Sequence, residues 1–333
     1  MVNSVAFLGC GSWGAALSTI LSQKGVKINF WHRNPKIIES MTKSRSHYLL
    51  PTVKFVESVH FFTDIEEAIA GINTFVISVP SQHVREVISK LQIHIDSSKN
   101  IINIAKGIEN HTFMTMSQVI NDVIGDSVKI VTLSGPSHAE EVIDNKPTAV
   151  VASSTQISLA KNAQAMFSTN KFRVYTNSDI IGAEIGGSAK NVIAIAAGFC
   201  DGVGYGDNTK SALITRGISE ISKLGKKLGA NSDTFFGLTG VGDLIVTCAS
   251  MHSRNRKLGE FIGKGENLSK ILSQSHMVVE GVETAHSIYN LSSKLNVEMP
   301  ICDSVYRVLY ENANPIVEVD SLMTRNLKSE SIK

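Results

Sequence analysis

Through the first half of the chain, short runs dense in apolar residues alternate with longer stretches in which apolar positions recur every third or fourth residue. The short runs Val5–Leu8, Lys27–Trp31, Thr74–Val79, Asn100–Ile104, Lys129–Leu133 and Thr148–Ala152 read as strands. Several are apolar at nearly every position, as parallel strands covered on both faces must be. Between them, Ala15–Lys24, Pro35–Lys43, Ile65–Ala70, Gln82–Leu91 and Met114–Ile124 carry helical spacing. This alternation predicts an α/β, doubly wound sheet, with Phe172–Tyr175 as one further strand. From about Asp179 the alternation stops. Ile180–Ala197, Lys210–Leu228, Arg254–Ile262, Leu268–Ser275, Thr284–Lys294 and Ile301–Tyr310 read as helices separated by glycine-rich turns, and the polar tail Thr324–Lys333 is expected to fray. The change of pattern divides the chain into a domain over 1–178 and an all-helical C-terminal domain over 179–333.

Composition narrows the class. The 333 residues are 43% hydrophobic and 19% charged, which excludes a disordered chain. With 32 basic and 30 acidic residues the net charge is +2, which argues against nucleic acid or an anionic membrane as the main partner. The apolar run around Val192–Ala197 falls well short of the roughly 20 residues that cross a bilayer. A strand begins within four residues of Met1, with no basic leader segment and no cleavage site, so a soluble, cytoplasmic protein is expected. Cys10, Cys200, Cys248 and Cys302 stand singly, and no histidine pair has ligand spacing. Neither a disulfide framework nor a metal site is expected.

Gly9-Cys10-Gly11-Ser12-Trp13-Gly14 fits the G-x-G-x-x-G pattern and lies between the first strand and the first helix. In that context Gly9 makes a tight turn, Gly11 admits a pyrophosphate to the backbone, and Gly14 lets helix and strand pack closely. The domain over 1–178 is therefore expected to be a Rossmann-like dinucleotide-binding domain. The second strand ends in Trp31-His32-Arg33-Asn34 rather than in the carboxylate that would bind a ribose 2′-hydroxyl. Arg33 can pair with a 2′-phosphate and stack on adenine, which favours NADPH over NADH while leaving both in play.

Further motifs follow in order: Ser134-Gly135-Pro136-Ser137, Glu184-Ile185-Gly186-Gly187-Ser188-Ala189-Lys190-Asn191, Gly240-Val241-Gly242-Asp243, and His252-Ser253-Arg254-Asn255-Arg256. With the glycine loop, they make the chain resemble the bacterial NAD(P)-dependent sn-glycerol-3-phosphate dehydrogenases from about Ser4 to about Pro315. The resemblance implies reduction of dihydroxyacetone phosphate to sn-glycerol 3-phosphate for phospholipid synthesis, in a soluble, cytoplasmic homodimer. It also implies roles for particular residues. Lys190 is the proton carrier. Ser12, Trp13, His32, Arg33, Tyr48, Lys106, Ala139, Arg254, Val278 and Glu280 are cofactor contacts. Lys106, Gly135, Ser137, Lys190, Asp243, Ser253, Arg254 and Asn255 are substrate contacts. Asn103-Ile104-Ala105 departs from the Ser/Thr-type residues that the family places before Lys106-Gly107.

Several of these residues make chemical sense without the family. Lys190 lies in a helix apolar almost all round; desolvation there draws its proton affinity down, so it can protonate the alkoxide formed when a ketone receives hydride. From the helix alone, a lysine reaching out to water fits as well. Asp243 can pair with Lys190, hold a substrate hydroxyl, or simply cap a turn. Ser253-Arg254-Asn255 opens a helix, where free N–H groups and a guanidinium suit a phosphate dianion; a plain capped surface helix is the alternative. Two competing functions remain at this point. One is a related two-domain 3-hydroxyacid or ketopantoate-type dehydrogenase; the other is an NADPH-binding redox sensor without catalysis.

Overall fold

The computed structural model describes residues 2–126, 128–274, 278–327 and 329–330. Its first strand, β1 (Ser4–Leu8), is fully apolar from Val5 onward and lies in the interior of an eight-stranded sheet. The other strands are β2 (Lys27–Trp31), β3 (Val59–Phe62), β4 (Thr74–Ile77), β5 (Asn100–Asn103), β6 (Lys129–Ser134), β7 (Thr148–Ser153) and β8 (Phe172–Asn177). Their spatial order is β3-β2-β1-β4-β5-β6-β7-β8, parallel throughout except for the antiparallel pair β6–β7. The chain runs outward through β1, β2 and β3 and then returns to the other side of β1 for β4. That reversal places the topological switch point between β1 and β4, where open α/β sheets bind ligands.

Seven helices connect these strands: α1 (Ser12–Gln23), α2 (Pro35–Ser44), α3 (Ile65–Ile69), α4 (Val84–Leu91), α5 (Met116–Ile124), α6 (Ala139–Ile143) and α7 (Ile157–Phe167). Local chemistry marks several starts. Asn34 accepts the Lys36 N–H ahead of Pro35, Asp64 accepts those of Glu66 and Glu67, and Thr115 forms a capping box with Gln118. The short strand β3 and the helices α6 and α7 are additions to the elements expected from sequence.

The remaining chain is helical: α8 (Ile180–Val203), α9 (Asp207–Lys227), α10 (Asp243–Ala249), α11 (Arg254–Gly263), α12 (Leu268–Gln274), α13 (Glu280–Leu295), α14 (Pro300–Tyr310) and α15 (Pro315–Met323). Helices α10 and α15 were not expected, and the last residue of the expected helix Leu268–Ser275 lies outside the described residues. So do Lys328 and Ser331–Lys333 of the tail. Among the described residues, helix α8 is the one helix that length and composition alone would let cross a bilayer, and 94% of its apolar window is buried inside the protein. Its residues Val192–Ala197 are nearly all inaccessible, which makes it the core helix of this unit.

The chain separates into two compact units. The first comprises Met1–Lys106 and Met114–Ile180; the second comprises Gly107–Phe113 and Ile181–Lys333. The second unit thus takes a segment that the sequence reading assigned to 1–178. Ile108 is buried in the helical core, its carbonyl accepts from Ser287 on α13, and Asn110 bonds Ser287 and Glu283 of the same helix. Each unit has its own apolar core.

Candidate active site

In the first unit, the glycine loop follows from close packing at the switch point. Gly9 has φ +108°, and a side chain there would meet the Ser78 carbonyl at 2.6 Å. A Cβ on Gly14 would fall 2.2 Å from Ser78 Oγ, so α1 is pressed against the end of β4. Gly11 is the N-cap of α1 and offers no side chain to satisfy the first N–H groups of the helix. Trp13 packs against Phe172, and its buried indole N–H has no hydrogen-bond partner among the described residues. Free helix N–H groups and an orphaned indole donor around a glycine turn fit an anionic dinucleotide.

Around this loop, His32 is half-buried at the end of β2, and its Nδ1 accepts the Asn34 N–H at 3.0 Å. Burial holds the His32 pKa below the usual histidine value. Arg33 beside it is exposed. Tyr48, 38% exposed, packs its ring against His47. Beyond β5, Lys106 Nζ donates to the Gly135 carbonyl at 3.1 Å, and Ser137 Oγ donates to the same oxygen at 2.9 Å. Lys106, Gly135 and Ser137 are therefore brought together, and Ala139 opens α6 just beyond them. The departure at Asn103 has a structural use. Its side chain accepts the Ala105 N–H at 3.1 Å and donates to the Ala105 carbonyl at 3.2 Å, bracing the turn that carries Lys106.

In the second unit, Lys190 projects from α8 into a buried polar cluster. Its Nζ lies 2.9 Å from Asp243 Oδ1 and donates to Thr247 Oγ1 at 2.6 Å. Asp243 is 1% and Lys190 7% exposed, so the ammonium does not reach out to water. Asp243 begins α10, after a single π-helical turn over Leu238–Gly242. That turn comes close because Gly186, one turn before Lys190 on α8, has no side chain; a Cβ there would meet the Thr239 carbonyl at 2.4 Å. Thr247 lies one turn beyond Asp243 on α10, and its hydroxyl is also 2.6 Å from the Asp243 backbone carbonyl. Thr247 was not singled out in the sequence, because recognising it requires α10 to be a helix.

The start of α11 is more committed to structure than its sequence suggests. Ser253 Oγ accepts the Arg256 N–H at 3.3 Å as the helix cap. Asn255 donates to Asn191 Oδ1 at 2.8 Å and accepts the Gly281 N–H at 2.9 Å, tying α11 to α8 and to the start of α13. Arg254 is exposed, with Nη1 donating to the Val278 carbonyl at 2.9 Å. Val278 is 48% exposed, and Glu280 is the first residue of α13. Asn191 is buried beside Lys190 and holds Asn255; its place directly after the lysine was the only signal for it. Among the described residues no cluster of His, Cys, Asp and Glu is arranged to hold a metal, and all four cysteines are free and buried.

Residues 4–160 match the family model of the NAD-dependent glycerol-3-phosphate dehydrogenase N-terminus, and residues 179–320 match that of its C-terminus. The chain belongs to the NAD-dependent glycerol-3-phosphate dehydrogenase family. It is 47% identical over 330 residues to the glycerol-3-phosphate dehydrogenase [NAD(P)+] of Clostridium tetani, covering 99% of this chain and 94% of the relative. To the corresponding Clostridium acetobutylicum protein it is 48% identical, with 99% of both chains covered. The crystal structure of glycerol-3-phosphate dehydrogenase from Coxiella burnetii superposes with a TM-score of 0.94 at 34% identity, over 97% of this chain and 99% of that one. Membership of the glycerol-3-phosphate dehydrogenase family removes the hydroxyacid, ketopantoate and sensor readings.

Proposed function

We infer that this chain is an NAD(P)-dependent glycerol-3-phosphate dehydrogenase, which reversibly reduces dihydroxyacetone phosphate to sn-glycerol 3-phosphate for phospholipid synthesis. The observation that carries this reading furthest is the buried Lys190–Asp243–Thr247 cluster, a titratable ammonium held at 2.9 and 2.6 Å in a water-poor site. The family resemblance further supports a soluble, cytoplasmic homodimer.

When bound, the nicotinamide supplies the hydride. The protein's own task is to bind, orient and protonate. We assign proton transfer to Lys190, whose Nζ delivers a proton to the C2 oxygen as the ketone is reduced and recovers it in the reverse direction. Asp243 and Thr247 hold that amine in one orientation and compensate its burial. Arg254 is assigned to the substrate phosphate, with Ser253 and Asn255 fixing the helix start from which it projects and offering the hydrogen-bonding capacity their caps leave over. Lys106, Gly135 and Ser137 are assigned to substrate as well. Ser12, Trp13, His32, Arg33, Tyr48, Lys106, Ala139, Arg254, Val278 and Glu280 are assigned to the cofactor, with Gly9, Gly11 and Gly14 shaping its loop.

Phosphate recognition is tested by two ketones and three proteins. In the wild type, kcat/KM for dihydroxyacetone phosphate will far exceed that for dihydroxyacetone, because the phosphate positions the carbonyl as well as binding. Arg254→Ala will cut that ratio by about 10–100-fold, the size of a lost charge-assisted bond, and Arg254→Lys will recover only part of it. An unchanged ratio in Arg254→Ala would place the phosphate site elsewhere.

Cofactor choice is assigned to Arg33. Its charge stands exposed just beyond the end of β2, next to His32. Arg33→Ala will weaken NADPH by about 10–100-fold and NADH far less. Equal losses for the two cofactors, measured by fluorescence titration, would reassign Arg33 to adenine stacking.

A further inference from the structure

The segment from Arg45 to Phe55 folds back along the first unit, and the only buried ionisable side chain in it is His47, 1% exposed. The segment is fastened by its own contacts. Arg45 reaches the carbonyls of Phe55, Val56 and Val59, Phe55 N–H donates to the Arg45 carbonyl at 2.8 Å, and Val53 and Phe55 are buried in the core. The imidazole faces two ways. Its Nδ1 accepts the backbone N–H groups of Leu49 and Leu50 at 3.2 and 3.1 Å, so that nitrogen carries no proton. Its Nε2 lies 2.9 Å from the Cys10 carbonyl, which can only accept, so Nε2 carries the proton. Both ends require the same neutral tautomer.

The Cys10 carbonyl belongs to the peptide that joins Cys10 to Gly11 in the glycine loop. A trans peptide points its C=O and its N–H in opposite directions, and among the described residues no peptide is cis. Drawing the Cys10 carbonyl toward His47 therefore turns the Gly11 N–H away from the segment. That N–H has no partner among the described residues, and it adjoins the free first N–H groups of α1.

We propose that His47 is a positioning residue for the dinucleotide: its neutral ring holds the Cys10 carbonyl and so aims the Gly11 N–H at the cofactor's pyrophosphate. The proposal rests on the assignment of the glycine loop to the cofactor and adds to it a residue remote from the ligand. Protonation at Nδ1 would set a donor against the Leu49 and Leu50 N–H groups and release the segment. The ionisable neighbours oppose that charge. His32 repels it from the end of β2, with Arg33 beyond it. The Cys10 thiol on the loop stays neutral because burial pushes its pKa up, and the Tyr48 ring lies against His47 tilted by 43°. Burial is the largest cause holding the His47 pKa below 6.5. The sign follows: the anchored neutral ring contributes fully to fold stability above about pH 6.5 and that contribution is lost as the pH falls through the depressed native value, and it is around that lower native value that NADH affinity falls.

The test is titration of NADH binding between pH 5.5 and 8 by fluorescence. NADH is used because the 2′-phosphate of NADPH changes its own charge near pH 6. Wild-type affinity should weaken as the pH falls, in step with the His47 ring resonances. His47→Gln places an amide donor near the Nε2 position; it should keep wild-type affinity within about twofold at pH 8 and lose the pH slope. His47→Asn keeps only the acceptor for the Leu49 and Leu50 N–H groups; it should bind NADH about three- to tenfold more weakly at pH 8, the size of one lost neutral hydrogen bond. If wild type binds NADH and both His47 variants match it in affinity and slope, the positioning role is wrong. If wild type binds neither dinucleotide at any pH, the cofactor assignment itself is wrong. Should His47→Asn fail to fold, the slope of His47→Gln decides alone.

Discussion

Lys190→Ala will lower kcat by at least about 10²–10⁴-fold and leave NADPH affinity within about threefold. The magnitude is that of a lost general acid–base group, and the split arises because Lys190 is assigned to the proton and not to the dinucleotide. Alanine also strands the Asp243 carboxylate at 1% exposure without its ammonium, and breaking a buried pair costs about 3–5 kcal/mol. A second variant separates chemistry from folding. Lys190→Arg keeps a cation beside Asp243, but a guanidinium does not release its proton near neutral pH. It should fold with a smaller loss of stability and still lose nearly all turnover. Measured kcat above a tenth of wild type in both variants would remove Lys190 from the chemistry.

Gly259→Val will disrupt the second unit more than any substitution of comparable size on its surface. Helices α8 and α11 cross backbone to backbone. A Cβ on Gly259 would lie 2.0 Å from the Ile195 carbonyl, one on Gly198 2.0 Å from the Arg256 carbonyl, and one on Gly202 2.2 Å from the Glu260 carbonyl. No side chain stands in these gaps to move aside, so the helices must separate. Overpacking costs typically about 1–3 kcal/mol where side chains can shift, and this site should exceed that range. At about 2–4 °C per kcal/mol for a unit of this size, a cost above about 3 kcal/mol lowers Tm by at least about 6–12 °C. Because Ser253, Arg254 and Asn255 open α11, kcat/KM for dihydroxyacetone phosphate should fall in the surviving folded fraction as well. A Tm within about 2 °C of wild type would mean that the crossing tolerates a side chain.

The parallel strands and the glycine loop were legible in sequence for one reason: buried parallel strands are apolar at almost every position, and β1, β4 and β5 are buried throughout their centres. Strand β3 escaped notice because it is the edge of the sheet. Its four residues, Val59–Phe62, include an exposed His60, so they show neither a continuous run nor a clean alternation. Helix α10 was hidden by the Gly240-Val241-Gly242 signal before it, which reads as a turn and in fact forms a π-helical turn leading directly into the helix. Missing α10 meant missing Thr247, since its relation to Asp243 is a spacing of one helical turn. The glycines at 198, 202, 259 and 263 repeat at that spacing on two helices, yet their use depends on which helices meet. His47 carries no sequence signal at all, because its partners are backbone groups in its own segment and in a loop far away in the chain. Ser253 and Asn255 carry structural duties that their sequence does not show. Their types suit a phosphate, but in the structure a cap and two interhelical bonds already occupy much of their hydrogen-bonding capacity.

The most direct test of the central claim is to mix the purified protein with NADPH and dihydroxyacetone phosphate and follow the absorbance of the reduced nicotinamide. The absorbance should fall only when the phosphorylated ketone is present, with sn-glycerol 3-phosphate accumulating one for one, and the reverse reaction should run from that product with NADP+. Absence of oxidation with either NADPH or NADH at saturating dihydroxyacetone phosphate, in protein shown to be folded, would contradict the assignment.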